Sequence, residues 1–117
     1  MEVKDVQIVF NTVFFSKVYY RMKLKNIERT PNNKKAFVAT FIKPNGKEKI
    51  QRFGTTSNYV LNPSKTEQDK KAYIARHKVR ENFNDPMSAG ALSKHILWGD
   101  SRVISKNIKD FKKKFNV

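Results

Sequence analysis

The spacing of apolar residues changes near Pro63, and this change limits the architectures that the chain can form. Before Pro63, apolar and polar residues alternate with the period of two that is typical of a strand with one buried face. After Pro63, apolar residues recur three or four positions apart, as in an amphipathic helix. We therefore predict an α+β fold, an antiparallel sheet of three to four strands followed by three helices packed on one face. At 117 residues the chain has room for a single domain, residues 1–117.

The first half of the chain contains the strand signals. A strand is predicted over Val6–Phe10, whereas Thr12–Phe15 fits either its continuation or a helix. The next strand alternates an apolar face with a basic face: Val18, Tyr20, Met22 and Leu24 against Tyr19, Arg21, Lys23 and Lys25. Lys35–Lys43 is apolar on both faces, which predicts a central strand. The Asn-Gly pair within Lys43–Lys47 predicts a hairpin that joins this strand to KEKIQRFG.

Three helices are predicted after Pro63. Ser64 and Glu67 have the spacing of a capping box, so we expect the first helix to start there and to run to about Phe83. The second is expected to be capped by Asp85, with Pro86 at its first position, and to end at Gly99. The third should run from Asp100 or Ser101 to Phe115. Its apolar stripe is Ile104, Ile108, Phe111 and Phe115.

The charge of the chain indicates an anionic partner. Twenty-five Lys and Arg residues against ten Asp and Glu give a net charge of +15, carried by both halves of the chain. Such a charge destabilises a compact domain unless salt or a polyanion neutralises it, and nucleic acid is the first polyanion to consider. The chain has no cysteine and no apolar run of the length that spans a membrane. We therefore expect a soluble intracellular protein that binds nucleic acid, with double-stranded DNA favoured.

A helical projection of KKAYIARHKVRENF separates a core face from a binding face. The core face is predicted to be Ala72, Ala75, Val79 and Phe83. The opposite arc carries Lys70, Lys71, Ile74, His77 and Lys78, with Tyr73, Arg76 and Arg80 along one flank. Basic side chains on such an arc can neutralise DNA phosphates without reading sequence. The predicted phosphate contacts are Lys70, Lys71, Arg76, His77, Lys78, Arg80, Arg102, Lys106, Lys109, Lys113, Arg21, Lys23, Lys25 and Arg52.

Catalytic and metal-binding signals are weak. The acidic residues are dispersed, and two histidines without cysteine are too few for a transition-metal site. We expect no enzyme activity, no metal or other cofactor, and no small-molecule substrate. A metal-free ribonuclease is the less favoured alternative, with Tyr73, Arg76, His77 and Arg80 in its site. The segment Arg52–Asn58, RFGTTSN, could offer donors to a phosphate, although it is equally ordinary as a strand exit.

Aromatic and apolar residues raise two further hypotheses. Tyr19, Tyr73 and Phe53 could stack on unpaired bases, but aromatic residues beside basic ones are more often the edge of a core. Trp98 is predicted to be a core anchor. Ile74 is out of place on a basic arc, and together with Tyr73 it suggests an interface, in a homodimer or with a partner. An adaptor for an acidic protein partner is therefore the alternative to DNA binding.

The segment DKKAYIARHKVRENF, with SKHILW and DFKKKF after it, resembles a group of small basic proteins of giant viruses, the nucleocytoplasmic large DNA viruses. In that group a Y-I-A-R-H-x-V-R-E helix precedes a helix with a Trp and a short basic helix that ends near a Phe. The matching residues are Tyr73, Ile74, Ala75, Arg76, His77, Val79, Arg80, Glu81, Leu97, Trp98, Phe111 and Phe115. The resemblance covers about residues 52–117. It implies a viral origin and a role in the virion or in a virus factory of the host cytoplasm, with the host nucleus as the alternative, but no mechanism.

Overall fold

A computed structural model describes residues 22–30 and 35–117, in which a three-stranded antiparallel sheet is followed by three helices. The strands are β1 (Lys23–Arg29), β2 (Phe37–Ile42) and β3 (Glu48–Phe53). The helices are α1 (Glu67–His77), α2 (Ala89–Leu92, continued by a π-helical turn Ser93–Leu97) and α3 (Ile104–Phe115). The predicted α+β fold is confirmed. The strand predicted over Val6–Phe10, the undecided stretch Thr12–Phe15 and the start of the Val18–Lys25 strand lie outside the described residues.

The central position of β2 and its hairpin with β3 are as predicted. The sheet order is β1-β2-β3, with Phe37 of β2 opposite Phe53 of β3. At the turn, the amide of Gly46 donates to the carbonyl of Lys43 at 2.8 Å, and Gly46 has φ +86°. Glycine adopts this left-handed conformation without the steric cost that other residues incur. The Asn-Gly pair therefore predicted the turn correctly, because the backbone at position 46 requires the positive φ that glycine adopts most easily.

One face of the sheet packs against the helices. Alternate residues of β2 point to this face and are buried, whereas the residues between them are only half-buried. The sheet residues in the core are Leu24, Phe37, Ala39, Phe41 and Phe53. They belong to the same buried cluster as Leu92, Ile96 and Leu97 of α2 and Phe111 of α3. The stripe predicted on α3 therefore faces the core, with Phe111 buried and Ile104, Ile108 and Phe115 half-buried against it.

The predicted starts of all three helices are too early. The capping box of α1 consists of Thr66 and Asp69 rather than Ser64 and Glu67: the Asp69 amide donates to Thr66 Oγ1 at 3.1 Å, and the Thr66 amide donates to Asp69 Oδ2 at 2.8 Å. Ser88, not Asp85, caps α2. α3 starts at Ile104, three residues after Ser101. Within the described part of the chain, no helix is long and apolar enough to cross a membrane.

The core face predicted for α1 is also wrong. Ala72 and Ala75 are exposed, and the side chain of Val79 lies 74% exposed beyond the end of the helix at His77. The inward face instead carries a buried Lys70 and the half-buried Tyr73, Ile74 and His77, at positions i, i+3, i+4 and i+7. A tyrosine and an isoleucine remove far more apolar area from water than two alanines do, and this rotation of the helix gives them a place to pack.

A buried asparagine joins α3 to the end of α2. Asn107 Nδ2 donates to the carbonyls of Ile96 at 2.8 Å and Ser101 at 2.6 Å, and Asn107 Oδ1 accepts from the Ser101 amide at 3.1 Å. The residue is only 1% exposed, so its amide uses all these partners in place of water. The connection after Trp98 is therefore fixed by one polar side chain inside an otherwise apolar stripe.

Replacing Asn107 by Ala should destabilise the fold, because two carbonyls and an amide lose their partner in a region closed to water. Each such loss costs about 1–3 kcal/mol, so we expect the free energy of unfolding to fall by at least about 2 kcal/mol. Urea unfolding followed by circular dichroism measures this change. Ser105→Ala, at an exposed position of the same helix, is the control and should change stability by less than about 0.5 kcal/mol. An Asn107→Ala protein as stable as the control would contradict this role.

Candidate functional site

A cleft of about 400 Å³ lies between the segment that follows β3, the inward face of α1 and the start of α2. Its volume is within the range of pockets that bind small ligands or parts of larger ones. The described residues that line it are Lys35, Gly54, Thr55, Ser57, Lys65, Tyr73, Arg76, His77, Glu81, Ala89, Ser93 and Trp98. Two groups that the sequence suggested separately, the RFGTTSN segment and the side chains Tyr73, Arg76 and His77, are therefore brought together.

The lining of the cleft is cationic and rich in hydrogen-bond donors. Lys35, Lys65 and Arg76 contribute positive charge, and Glu81 is the single carboxylate among the described lining residues. Hydroxyl groups come from Thr55, Ser57 and Ser93. Charges of one sign around a concave surface focus the electrostatic field more strongly than the same charges on a convex surface. Lysine, arginine and hydroxyl groups around a concave surface can donate hydrogen bonds to the oxygens of a bound phosphate group.

A stack of three rings forms one wall of the cleft. The rings of Trp98 and Tyr73 are 4.3 Å apart and inclined by 8°, and the His77 ring lies 4.2 Å from that of Tyr73. Trp98 is buried, so the stack is anchored in the core and holds both α1 side chains in place. Burial raises the pKa of Tyr73, and its phenol therefore keeps its proton at neutral pH.

His77 is held by a carboxylate. Its Nδ1 lies 2.5 Å from Glu81 Oε2, and the Glu81 amide donates to the His77 carbonyl at 3.1 Å, which continues the helical turn past the end of α1. Because a carboxylate only accepts hydrogen bonds, the His77 nitrogen that faces it carries a proton, and a neutral imidazole in this contact has its lone pair on Nε2. Nε2 has no hydrogen-bond partner within residues 22–30 and 35–117.

Gly90 leaves the space that the Glu81 carboxylate occupies. A Cβ atom built on Gly90 would lie 2.9 Å from Glu81 Cδ and would overlap Oε1. Glu81 is thereby lodged between the start of α2 and the His77 ring. The position of the His77–Glu81 pair therefore depends on glycine at position 90, because any larger side chain there would displace the Glu81 carboxylate.

A second cluster joins α1 to the segment before it and to the loop after α2. The ring of Tyr59 contacts two cations, since the Arg102 guanidinium carbon lies 3.9 Å and Lys70 Nζ lies 4.4 Å from its centroid. The Tyr59 hydroxyl donates to Glu67 at 2.6 Å, and this hydrogen bond, with a smaller effect of Lys70, lowers the pKa of the Glu67 carboxyl. Lys70 Nζ also donates to the Gly99 carbonyl at 3.0 Å. We call Tyr59, Glu67, Lys70 and Arg102 the tyrosine clamp.

Arg102 connects the α2–α3 loop to the segment before α1. Its Nη1 donates to the carbonyls of Tyr59 at 2.7 Å and Asn62 at 3.1 Å, and its Nη2 donates to that of Lys65. Three carbonyls of one loop therefore converge on a single guanidinium. Three of the five donors of this guanidinium are therefore used by backbone carbonyls of the protein itself.

The predicted phosphate-contacting residues fall into two groups. Five are engaged within the protein: Lys70 and Arg102 in the tyrosine clamp, His77 with Glu81, Lys25 with Glu48 at 2.6 Å and Lys106 with Asp110 at 2.9 Å. The exposed residues that form no ion pair with another described residue are Lys23, Arg52, Lys71, Arg76, Lys78, Arg80, Lys109 and Lys113. Arg21 lies outside the described residues. Placing Lys70 on an outer arc was wrong, since Lys70 is only 8% exposed.

The stacking and interface hypotheses also change. Phe53 is fully buried in the core, and Tyr73 lies inside the ring stack, so neither presents a free face; Tyr19 lies outside the described residues. Trp98 is a core anchor, as predicted. Ile74 faces the protein, half-buried beside a cavity of about 280 Å³ that Trp98 and Phe111 also line. Its predicted position on the outer arc was wrong, whereas its role in an interface and the adaptor hypothesis stay predictions.

The smaller cavity is less suited to an anion. Its cations, Lys70, Lys94 and Lys114, are balanced in part by Asp100 and Asp110, and Lys70 is already bound to Gly99. His95 at its edge bonds to the Phe83 carbonyl at 3.0 Å, and burial lowers the pKa of this histidine. In the described part of the chain, no group of three or more His, Cys, Asp or Glu residues is placed to hold a metal ion.

Comparisons of the chain with protein-family models, curated proteins and solved structures give no match. The resemblance of residues 52–117 to proteins of giant viruses therefore stays a prediction, and the site is interpreted from its own chemistry.

Several residues of the site were missed by the sequence-based interpretation. Glu81 had a local signal, because His77 and Glu81 are four positions apart and such pairs meet on a helical turn. Lys65 and Ser93 had none, since only the fold brings their segments together. Arg80, a candidate for the ribonuclease site, is exposed and does not line the cleft.

Arg102→Ala should lower the stability of the protein and leave its affinity for DNA nearly unchanged. Hydrogen bonds from charged groups contribute about 1.5–3 kcal/mol each, so we expect the free energy of unfolding, measured with urea, to fall by at least about 2 kcal/mol. Lys109→Ala removes the same charge from an exposed helix position and should cost less than about 0.5 kcal/mol. A stable Arg102→Ala protein with weakened DNA binding would instead restore Arg102 to the phosphate-contacting surface.

Proposed function

We propose that the protein binds nucleic acid through phosphate groups, without reading the base sequence, and that the cleft is the principal phosphate-binding site. The supporting observation is the convergence of Lys65, Arg76 and Lys35 on a concave surface lined by the segment from Gly54 to Ser57. Contacts of this kind position a protein on a nucleic-acid backbone and carry no sequence information.

The cleft is favoured over the outer face of α3. Lys109 and Lys113 are exposed on a convex helix, where each charge is surrounded by water and screened by salt. The cations of the cleft lie instead around a cavity, next to hydroxyl groups that can donate to the same phosphate. Arg76 also offers a planar fork of donors that fits two phosphate oxygens at once.

The exposed cations around α1 extend this surface. Lys71, Lys78 and Arg80 form no ion pair with other described residues and can neutralise neighbouring phosphates of a longer strand. A net charge of +15 supports a polyanion over a small anionic ligand. Double-stranded DNA is the proposed partner, and the resemblance to proteins of giant viruses suggests condensation or packaging of a viral genome as the setting.

Binding to random-sequence duplex DNA should be strong at low salt and should weaken steeply as salt rises. We expect a linear fall of log K with log salt concentration, with a slope of about −0.9 for each phosphate contacted. Fluorescence anisotropy of a labelled 20-base-pair duplex, titrated from about 50 to 200 mM salt, measures this slope. Lys65→Ala/Arg76→Ala should bind at least about tenfold more weakly and with a slope shallower by about 2.

The matched control is Lys109→Ala/Lys113→Ala, which removes the same two charges from α3. We expect this variant to lose less than about threefold in affinity and to keep a slope close to that of the wild type. Equal losses in the two double variants would mean that net charge alone, and not the cleft, determines binding. Absence of wild-type binding at about 50 mM salt, or binding without salt dependence, would contradict the proposal as a whole.

A further inference from the structure

We propose that the cleft also cleaves single-stranded RNA by internal transesterification, with His77 as the general base. This inference rests on the proposed function, because it requires that the cleft receive a phosphate. It goes beyond that function because phosphate binding by itself does not distinguish DNA from RNA or cause any reaction.

The first observation is the orientation of His77. With Nδ1–H directed to Glu81, the lone pair of the neutral ring is on Nε2, which has no partner among the described residues. His77 lines the cleft, and its side chain is 41% exposed, so a bound substrate can reach it. An imidazole oriented by a carboxylate is a common arrangement for taking a proton from a hydroxyl group.

The second observation is that the pair is supported by surrounding structure. Gly90 leaves the space that Glu81 fills, and the ring stack with Tyr73 and Trp98 holds the imidazole plane. Catalytic groups require such support, because small displacements weaken proton transfer. A solvated surface ion pair would need neither feature.

The third observation is the charge around the same cavity. Lys65 and Arg76 line the cleft with His77, and they can stabilise the additional negative charge that a phosphodiester acquires on attack. Tyr73 keeps its proton, so it can donate a hydrogen bond but cannot compete with His77 as the base.

The step uses the 2′-hydroxyl of RNA as the nucleophile. His77 Nε2 takes the 2′-hydroxyl proton while the 2′ oxygen forms a bond to phosphorus, and the bond from phosphorus to the 5′ oxygen of the next nucleotide breaks. That oxygen takes a proton from water, and the hydroxide so formed takes the proton from Nε2. The products are a 2′,3′-cyclic phosphate and a 5′-hydroxyl, with no net consumption of water. DNA lacks the 2′-hydroxyl and would be bound but not cleaved.

The test uses the full chain, a 5′-labelled single-stranded RNA of mixed sequence, and the same sequence with 2′-O-methyl groups, in buffer with EDTA. Denaturing gels and mass spectrometry follow cleavage and identify the ends, and anisotropy measures binding of the 2′-O-methyl strand. We expect cyclic-phosphate ends from RNA and an intact 2′-O-methyl strand. His77→Ala should slow cleavage about 100-fold or more and should change affinity for the 2′-O-methyl strand less than about threefold.

Two further variants separate catalysis from structure. Glu81→Gln should lower kcat about tenfold or more while KM stays within about twofold, because the proposed role of Glu81 is to position His77. His95→Gln changes the other histidine, which lies outside the cleft, and should cleave at nearly the wild-type rate. Thermal unfolding checks that each variant is folded, and if His77→Ala is not, the result for Glu81→Gln decides.

The outcomes distinguish this inference from the proposed function. Intact RNA together with binding of the 2′-O-methyl strand would overturn cleavage and leave the phosphate-binding proposal standing. Failure to bind either strand or duplex DNA would overturn both. Cleavage that is equally fast in the His77→Ala and Glu81→Gln proteins would also overturn the assignment, since the activity would then not come from this pair.

Discussion

The arrangement of the cleft depends on how Lys70 is accommodated inside the protein. A buried ammonium group is costly unless charge and hydrogen bonds compensate for the water that it loses. Here the Gly99 carbonyl, the Glu67 carboxylate and the face of the Tyr59 ring supply that compensation. Because Lys70 points inward, Tyr73 and His77, three and seven positions later, point inward as well. The rotation of α1 that buries Tyr73 and Ile74 therefore depends on this compensation of Lys70, and so does the composition of the cleft.

The tyrosine clamp also explains why the strongly basic sequence does not present all its charge to solvent. Arg102 binds three backbone carbonyls, and Lys70 binds one. Arg102 joins the α2–α3 loop to a segment about 40 positions earlier in the chain, and that segment includes Lys65, which lines the cleft. Lys70 joins α1 to Gly99, 29 positions later. Some cations therefore build the site, whereas others, such as Arg76, remain exposed at its edge. Net charge indicates the class of partner, but it does not tell these two groups apart.

The features that could be predicted from the sequence are those with a local signal. The Asn-Gly turn, the central strand and the α3 stripe depend on neighbouring residues, and all three are present. The core face of α1 was predicted wrongly because a helical projection counts apolar positions, whereas burial depends on area and on distant partners. Nothing near Lys70 indicates that it reaches the carbonyl of Gly99. The spacing of His77 and Glu81 was visible in the sequence. The position of the Glu81 carboxylate beside Gly90 and the cations around the cleft are instead set by tertiary structure.

In the proposed function, a nucleic-acid strand contacts the cleft and not the basic face of α3. Amide chemical-shift mapping by NMR, with a short 2′-O-methyl oligonucleotide added to ¹⁵N-labelled protein, tests this most directly. We expect the largest shifts at residues 54–57 and 76–81, on the two sides of the cleft, and small shifts along residues 106–113. Shifts concentrated at residues 106–113, with residues 54–57 and 76–81 unchanged, would contradict the account.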